Sequence, residues 1–307
     1  MPREHFGPDH QFLPRSELLT FEEITFFVSS LLPLGLQKVR LTGGEPLLRS
    51  EIVQLIGMLR ALDNNLDIAM TTNGALLEKY AQHLVDAGLN RVTVSLDAID
   101  TEVFAAMSDT LSCTPQDILN GIDKALEVGL GVKMNAVIRR GINDAQILKL
   151  AKQAQQRGIP LRFVEFMDVG NTNQWDFSEV VTGAEIKEVL ESEYGRLDSV
   201  SHQGKHDVAR QFKSTTLGVE FGFINSVSAP FCGDCSRARL SAHGSIYTCL
   251  FATQGHDLRS ILRMNASQED IRAAVTSIWT KRTDQYSVER HLKEGTTSKV
   301  EMSFIGG

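Results

Sequence analysis

The chain has 307 residues, 42% of them hydrophobic, and a formal net charge of −7 at pH 7. That length holds one large α/β domain with an extension, or two ordinary domains, and the hydrophobic fraction excludes a disordered chain. The acidic balance excludes a general nucleic-acid surface and leaves room for local basic clusters around a small anion.

In chain order, Thr20 with Glu23 gives the signature of a capping box ahead of a helix that begins FEEITFF. Strand candidates follow at 38–43, 66–73, 91–98, 131–140 and 161–169. Each is rich in Val, Ile, Leu, Phe or Met and closes on polar or glycine residues, as buried parallel strands do. Thr114 ahead of Pro115, Asn143 with Gln146, and Thr182 with Glu185 mark further helix starts. Gly35, Gly88, Gly129 and Gly158 mark helix ends, where left-handed backbone stops the chain. Helix and strand therefore alternate with a period of about thirty residues, the βα rhythm of a parallel barrel or open sheet.

Past residue 200 the rhythm breaks. Short apolar runs between glycines and serines suggest antiparallel hairpins, and a cysteine segment, a helix over 268–282 and a polar tail ending SFIGG follow. This divides the chain into a main domain, 1–200, and a smaller one, 201–307.

In βα architectures ligands sit at the carboxyl ends of the strands. Those ends read TGGEP (42–46), MTTNG (70–74), VSLDA (94–98), KMNAV (133–137) and RFVEFM (162–167). Gly43 and Gly44 let backbone approach a ligand closely, and Glu45 can accept from an ammonium group; a tight turn explains the double glycine equally well. Lys38, Arg40, Lys133 and Arg162 stand in or beside apolar strands. Exposed strand ends account for one or two of them; all four, with Arg237 and Arg239, read as a cationic lining for a polyanion such as a triphosphate.

Three of the four cysteines fall in Pro230–Cys249, spaced C-x2-C-x13-C as Cys232, Cys235 and Cys249. Such a cluster reads as metal ligands in a reducing compartment rather than as disulfides. Small buried cysteines, a structural zinc with His243 or His256 as fourth ligand, and an iron–sulfur cluster with one open iron all remain compatible with the spacing. Cys113 reads as an ordinary cysteine, and His5, His10, His83, His202, His206 and His291 as surface residues. Residues 1–17 are too polar for a secretory signal and no apolar run reaches the roughly 20 residues of a membrane span, so the chain reads as cytoplasmic.

GGEP, TTNG, SLDA, RFVEFMDVG, FCGDCSRARL, Cys249 and the terminal FIGG together resemble the GTP 3′,8-cyclase (MoaA) family of molybdenum-cofactor biosynthesis, within the radical S-adenosylmethionine enzymes. The resemblance runs from Met1-Pro2 to Gly306-Gly307; GGEP marks only the superfamily, and SRARL after C-x2-C with the double-glycine end marks the family. It implies an α/β fold: an incomplete (β/α)6 barrel, its first strand missing from this chain, over 1–200, and a carboxy-terminal auxiliary-cluster and GTP-binding extension over 201–307. It implies reductive cleavage of S-adenosylmethionine to a 5′-deoxyadenosyl radical, which takes the 3′ hydrogen of GTP so that the sugar carbon attacks C8 of guanine, giving 3′,8-cyclo-7,8-dihydro-GTP.

Matched motif by motif, Cys232, Cys235 and Cys249 would hold an auxiliary [4Fe–4S] cluster whose open iron contacts guanine. Arg40, Thr71, Lys133, Arg237 and Arg239 would hold GTP; Gly44, Ser95 and Met167 would contact S-adenosylmethionine; Gly306-Gly307 would thread into the site. A homodimer, and hand-over of product to a cyclic pyranopterin monophosphate synthase, are also implied, with no nucleic-acid or membrane partner. The family's second [4Fe–4S] cluster is held by C-x3-C-x2-C directly before Met-Pro, and this sequence opens on that Met-Pro. A misplaced start or a truncated gene explains this, and the expectation is that the chain as written does not catalyse the full reaction. The rivals are another radical enzyme with an auxiliary cluster, such as a peptide-modifying one, and a non-catalytic metal- or nucleotide-binding remnant.

Overall fold

The computed structural model describes residues 13–108, 112–170, 175–200, 208–290 and 299–305. Strands β1 (Lys38–Leu41), β2 (Asp67–Thr72), β3 (Arg91–Ser95), β4 (Gly131–Ile138) and β5 (Leu161–Glu165) lie parallel and side by side in sequence order. Strands β6 (Leu197–Ser199), β7 (Arg210–Ser214) and β8 (Glu220–Ile224) continue the same sheet in the order β1-β2-β3-β4-β5-β8-β7-β6. The β6–β7 and β7–β8 pairs are antiparallel, as the glycine- and serine-rich stretch suggests, but β8 runs parallel to β5. The sheet thus draws strands from both sides of residue 200.

Helices α1 (Phe21–Leu31), α2 (Ile52–Leu62), α3 (Leu77–Asp86), α4 (Thr101–Ser108), α5 (Pro115–Glu127), α6 (Ile147–Arg157) and α7 (Gly183–Tyr194) fill the connections. Reciprocal caps form at Thr20 with Glu23, Thr114 with Asp117 and Thr182 with Glu185, each satisfying backbone donors that a helix start leaves open. The expected box at Asn143 and Gln146 does not form. Both side chains are buried and spoken for elsewhere. The Asn143 amide donates to the carbonyls of Asp97 and Val137 and accepts from the Arg139 N–H, while Gln146 accepts from the N–H groups of Ile99 and Asp100. Satisfying buried loop backbone outweighs a local cap here.

Strand β4 shows how the layers sort. Val132, Met134, Ala136 and Ile138 are buried in the core with Leu59, Leu77, Ile122 and Leu150 of the surrounding helices, and Lys133, Asn135 and Val137 alternate onto the other face. Across the β5–β8 pair, Phe163 sits 6.4 Å from Phe221 and 6.2 Å from Phe223 between ring centroids, sealing the junction with aromatic surface.

A smaller sheet of β9 (Arg239–Leu240), β10 (Ser245–Tyr247) and β11 (His256–Asp257) follows, all antiparallel, and then α8 (Arg259–Arg263), α9 (Gln268–Thr280), α10 (Tyr286–Glu289) and α11 (Met302–Ile305). The β9–β10 turn needs glycine at Gly244, where φ is +92° and a Cβ would stand 2.7 Å from that of Arg259. Arg263 ties this region to the amino-terminal side through Glu23, at 2.9 Å, and the carbonyls of Ser16 and Leu18. Among the described residues, no helix is long and apolar enough to cross a membrane.

Candidate active site

Parallel pairing lines up the polar residues that the sequence places at the strand ends. Thr71, Thr93 and Lys133 share one row across β2, β3 and β4; Ser95, Asn135, Arg162 and Gly222 share another across β3, β4, β5 and β8. Arg40 on β1 reaches across, its Nη1 donating to Thr71 Oγ1 at 2.9 Å and Thr93 Oγ1 at 3.3 Å. At Gly222 a Cβ would lie 3.0 Å from Arg162 Cγ, so the glycine makes room for that side chain. Arg40, Thr71 and Lys133, expected to act together, are therefore brought onto one surface. Thr93 completes that surface, and no motif in the sequence singles it out, because only the register of β3 against β2 reveals it.

Like charges act on one another across this surface. Burial lowers the pKa of Arg40, and the charges of Arg162, Arg91 and Arg237 lower it further against the opposing pull of Asp67. Arg40 stays exposed while its guanidinium is crowded from neighbouring strands. Arg237 thus lies close enough to the strand ends for its charge to be felt there. The mutual repulsion of like charges gathered in this way is what a polyanionic ligand would relieve. Lys38 does not belong to this group. It stands at the amino end of β1, half exposed, 3.6 Å from Asp67, which also holds Arg91.

Gly44, Ser95 and Met167 lie just past β1, at the last position of β3 and just past β5, so all three sit along the same edge of the sheet. Glu45 is committed elsewhere: it accepts from the Leu47 N–H, from Thr72 Oγ1 at 2.9 Å and from the Asn73 N–H at 2.7 Å, bracing the ends of β1 and β2 together. Glu165, fully buried at the end of β5, accepts from the N–H groups of Gly183, Val227 and Ser228 and from the Ser228 hydroxyl. It is a structural carboxylate that anchors the approach to the cysteines. Asp97 accepts from the Val137 N–H at 2.8 Å, and burial raises its carboxyl to about 6.

Cys232 and Cys235 bracket a single turn closed by the Cys235 N–H donating to the Cys232 carbonyl at 3.2 Å. Cys249 follows β10 and accepts from the Phe251 N–H at 3.4 Å. All three are free thiols and partly exposed. Burial raises Cys249, with the charges of Asp284 and Cys232 adding to it; burial also opposes ionisation of Cys235, but Arg237, 3.4 Å from its sulfur, and Arg282 outweigh it and lower that thiol. Burial lowers Arg239 to about 10, helped by Arg237 and opposed by Cys235 and Cys249. The three sulfurs and the two arginines therefore share one electrostatic neighbourhood.

Among the described residues, no three His, Cys, Asp or Glu side chains gather tightly enough for a single metal ion. His243 does not supply a fourth ligand: Ser241 and Ser245 hydroxyls lie 2.9 Å from its two ring nitrogens, and its ring packs on Phe304. His256 pairs with Ile246 in the small sheet. A cubane cluster holds each cysteine on a different iron, so it suits a donor set of three separated thiols beside cations better than zinc does. The Met1-Pro2 start, the terminal Gly306-Gly307 and histidines 5, 10, 202, 206 and 291 lie outside the described residues.

Residues 4–154 match the family model described as Radical SAM superfamily, and residues 159–288 the one described as Molybdenum Cofactor Synthesis C. The chain is 46% identical over 311 residues to a GTP 3′,8-cyclase of Staphylococcus haemolyticus, covering all of this chain and 91% of that protein. It is 46% identical over 333 residues to a GTP 3′,8-cyclase of Acidothermus cellulolyticus, with the same coverage. The solved structure of Streptococcus suis SuiB bound to S-adenosylmethionine resembles it in fold, with a TM-score of 0.50 and 17% identity over 60% of this chain and 41% of that one. With both family models matched and relatives 46% identical along the full chain, the protein belongs to the GTP 3′,8-cyclase family of radical S-adenosylmethionine enzymes.

Proposed function

We propose that this chain binds GTP between its strand ends and its cysteine segment and converts it to 3′,8-cyclo-7,8-dihydro-GTP for molybdopterin synthesis. The observation that carries the reading is the gathering of Arg40, Arg162, Arg237 and Arg239, whose charges oppose one another where sheet and cysteine segment meet. Guanidiniums suit bidentate phosphate binding, and a triphosphate would relieve their repulsion. Arg40, Lys133, Arg237 and Arg239 neutralise the phosphates; Thr71, whose hydroxyl already orients Arg40, shapes the same surface. Gly44, Ser95 and Met167 along the strand ends take S-adenosylmethionine, with Gly44 allowing close backbone approach.

Cys232, Cys235 and Cys249 would hold a [4Fe–4S] cluster, and three thiolate ligands would leave one iron able to bind the nucleotide. When bound, S-adenosylmethionine with a reducing cluster supplies the carbon radical that starts the reaction. The chain's own residues hold GTP so that the hydrogen to be removed and the carbon to be joined face that radical's site, the positioning on which such chemistry depends. The four cysteines of this sequence provide one such trio. A homodimer and delivery of product to a cyclic pyranopterin monophosphate synthase complete the reading.

The test is anaerobic reconstitution with iron and sulfide, followed by equilibrium dialysis with GTP. About four iron atoms per chain, together with GTP binding that Arg239→Ala weakens by about tenfold or more, support the proposal. A folded chain that stays colourless and binds GTP no better than its Arg239→Ala variant refutes it.

A further inference from the structure

The end of β5 and the Cys249 loop are joined by a buried side-chain clamp that the residues assigned above leave unused. Asp168, 8% exposed and next to Met167, accepts from Tyr286 Oη at 2.6 Å, Arg290 Nε at 2.8 Å and Lys299 Nζ at 2.7 Å. Its backbone carbonyl accepts a further bond from Lys299 Nζ at 2.6 Å. Two largely shielded cations thus converge on one carboxylate. Burial works against that carboxylate's charge, yet Lys299, Tyr286 and Arg290 hold its pKa below the ordinary range.

The far side of the clamp grips the cysteines. Tyr286 stacks on Phe251 with centroids 4.6 Å apart, and both Arg290 and Lys299 lie over the Phe251 ring. Phe251 donates its N–H to Cys249 Sγ, and the Val300 N–H donates to the Ala252 carbonyl at 3.0 Å. Arg290 Nη1 also reaches the Ser226 carbonyl at 3.2 Å, and Arg282 Nη1 the Cys235 carbonyl at 2.7 Å. Arg282 and Val300 therefore hold the backbone of the two cysteine loops, while Tyr286, Arg290 and Lys299 converge on a single residue beside Met167.

We propose that Asp168 is a positioning residue that, through Tyr286, Arg290 and Lys299, fixes the Cys249 loop against the end of β5 and so sets where the bound nucleotide stands relative to Met167. This rests on the proposed function above. Asp168 touches neither ligand; it determines the separation between the two ligand sites. A buried ion pair whose partner is removed leaves uncompensated charge, so the clamp is sensitive to single changes in a way that the strand ladder is not.

The experiment compares wild type, Asp168→Asn and Tyr286→Phe as full chains reconstituted anaerobically with iron and sulfide. Tyr286→Phe keeps the ring stack and removes one bond to Asp168, which guards against a variant that fails to fold. Amide exchange should speed up in residues 249–252 and 299–301 in both variants while β1 to β4 stay unchanged. GTP affinity, measured by dialysis, should fall at least about tenfold in Asp168→Asn, and the change that GTP makes in the electron paramagnetic resonance spectrum of the reduced cluster should alter. Unchanged exchange overturns the clamp. Faster exchange with wild-type GTP affinity and spectrum leaves Asp168 a merely structural residue and overturns the positioning role. If wild type itself takes up no iron or GTP, it is the proposed function that fails, and the two failures are thereby told apart.

Discussion

The strand ends and the cysteine segment, proposed to contribute to one site, are held in different ways. On the sheet, Thr71, Thr93, Lys133, Ser95 and Arg162 take their places from a hydrogen-bonded parallel register backed by a continuous apolar core. The cysteine segment has only a single turn and short strands, and its shape comes from side chains: Glu165 beneath residues 227–228, Arg282 at Cys235, and the Asp168 clamp at Cys249. A register distributes its load over many backbone bonds, whereas a clamp concentrates it in a few buried charges. One half of the site should therefore tolerate single substitutions that disable the other.

The largest expected effect is at the sulfurs. Cys249→Ala should cut iron from about four atoms per chain to below about one, with the circular dichroism spectrum unchanged; retention of a full complement would remove Cys249 from the ligand set. The contrast between halves sharpens with ligand affinity. Losing a charged hydrogen-bond donor costs about 1.5–3 kcal/mol, so Arg239→Ala should weaken GTP binding roughly tenfold to over a hundredfold. Thr71→Val, which leaves Arg40 with Thr93, should cost only about threefold. Equal losses in a dialysis assay would break the distinction between the two regions.

Smaller effects concern stability. Glu165→Ala leaves several buried N–H groups without an acceptor and should lower the unfolding free energy by about 2–3 kcal/mol, with amide exchange rising first at residues 227 and 228. At Asp97 the sign reverses. Burial raises its folded pKa to about 6, so the stability it supports is present at low pH and is lost as pH rises from the ordinary carboxylate value, about 4, through about 6. Asp97→Asn keeps an acceptor for the Val137 N–H without the charge. It should resist urea better than wild type at pH 7, and the gain should vanish below about pH 4; a variant less stable at pH 7 would contradict this reading.

How much the sequence revealed follows the same division. Arg40 and Thr71 fall near the ends of β1 and β2 as a short-range pattern suggests, whereas Lys133 stands third of eight residues in β4, toward its amino end; the Thr20, Thr114 and Thr182 caps were legible because they are local. The direction of β8 was not legible: EFGFI reads as part of a hairpin with β7, and only its pairing with β5 makes it parallel. Asp168 looked like any polar residue at a strand end, since its partners lie 118, 122 and 131 residues away. Glu165 and Glu45 resemble ligand-facing carboxylates in sequence, and the structure shows both consumed by backbone donors.

The most direct test of the whole account is the electron paramagnetic resonance spectrum of the reconstituted, reduced chain recorded with and without GTP. A [4Fe–4S] signal that GTP shifts, that ATP leaves alone and that no longer responds in Arg239→Ala is the expected result. A folded chain that shows no iron–sulfur signal, or one indifferent to GTP, would contradict the claim that these three cysteines and the cationic strand ends form a single nucleotide site.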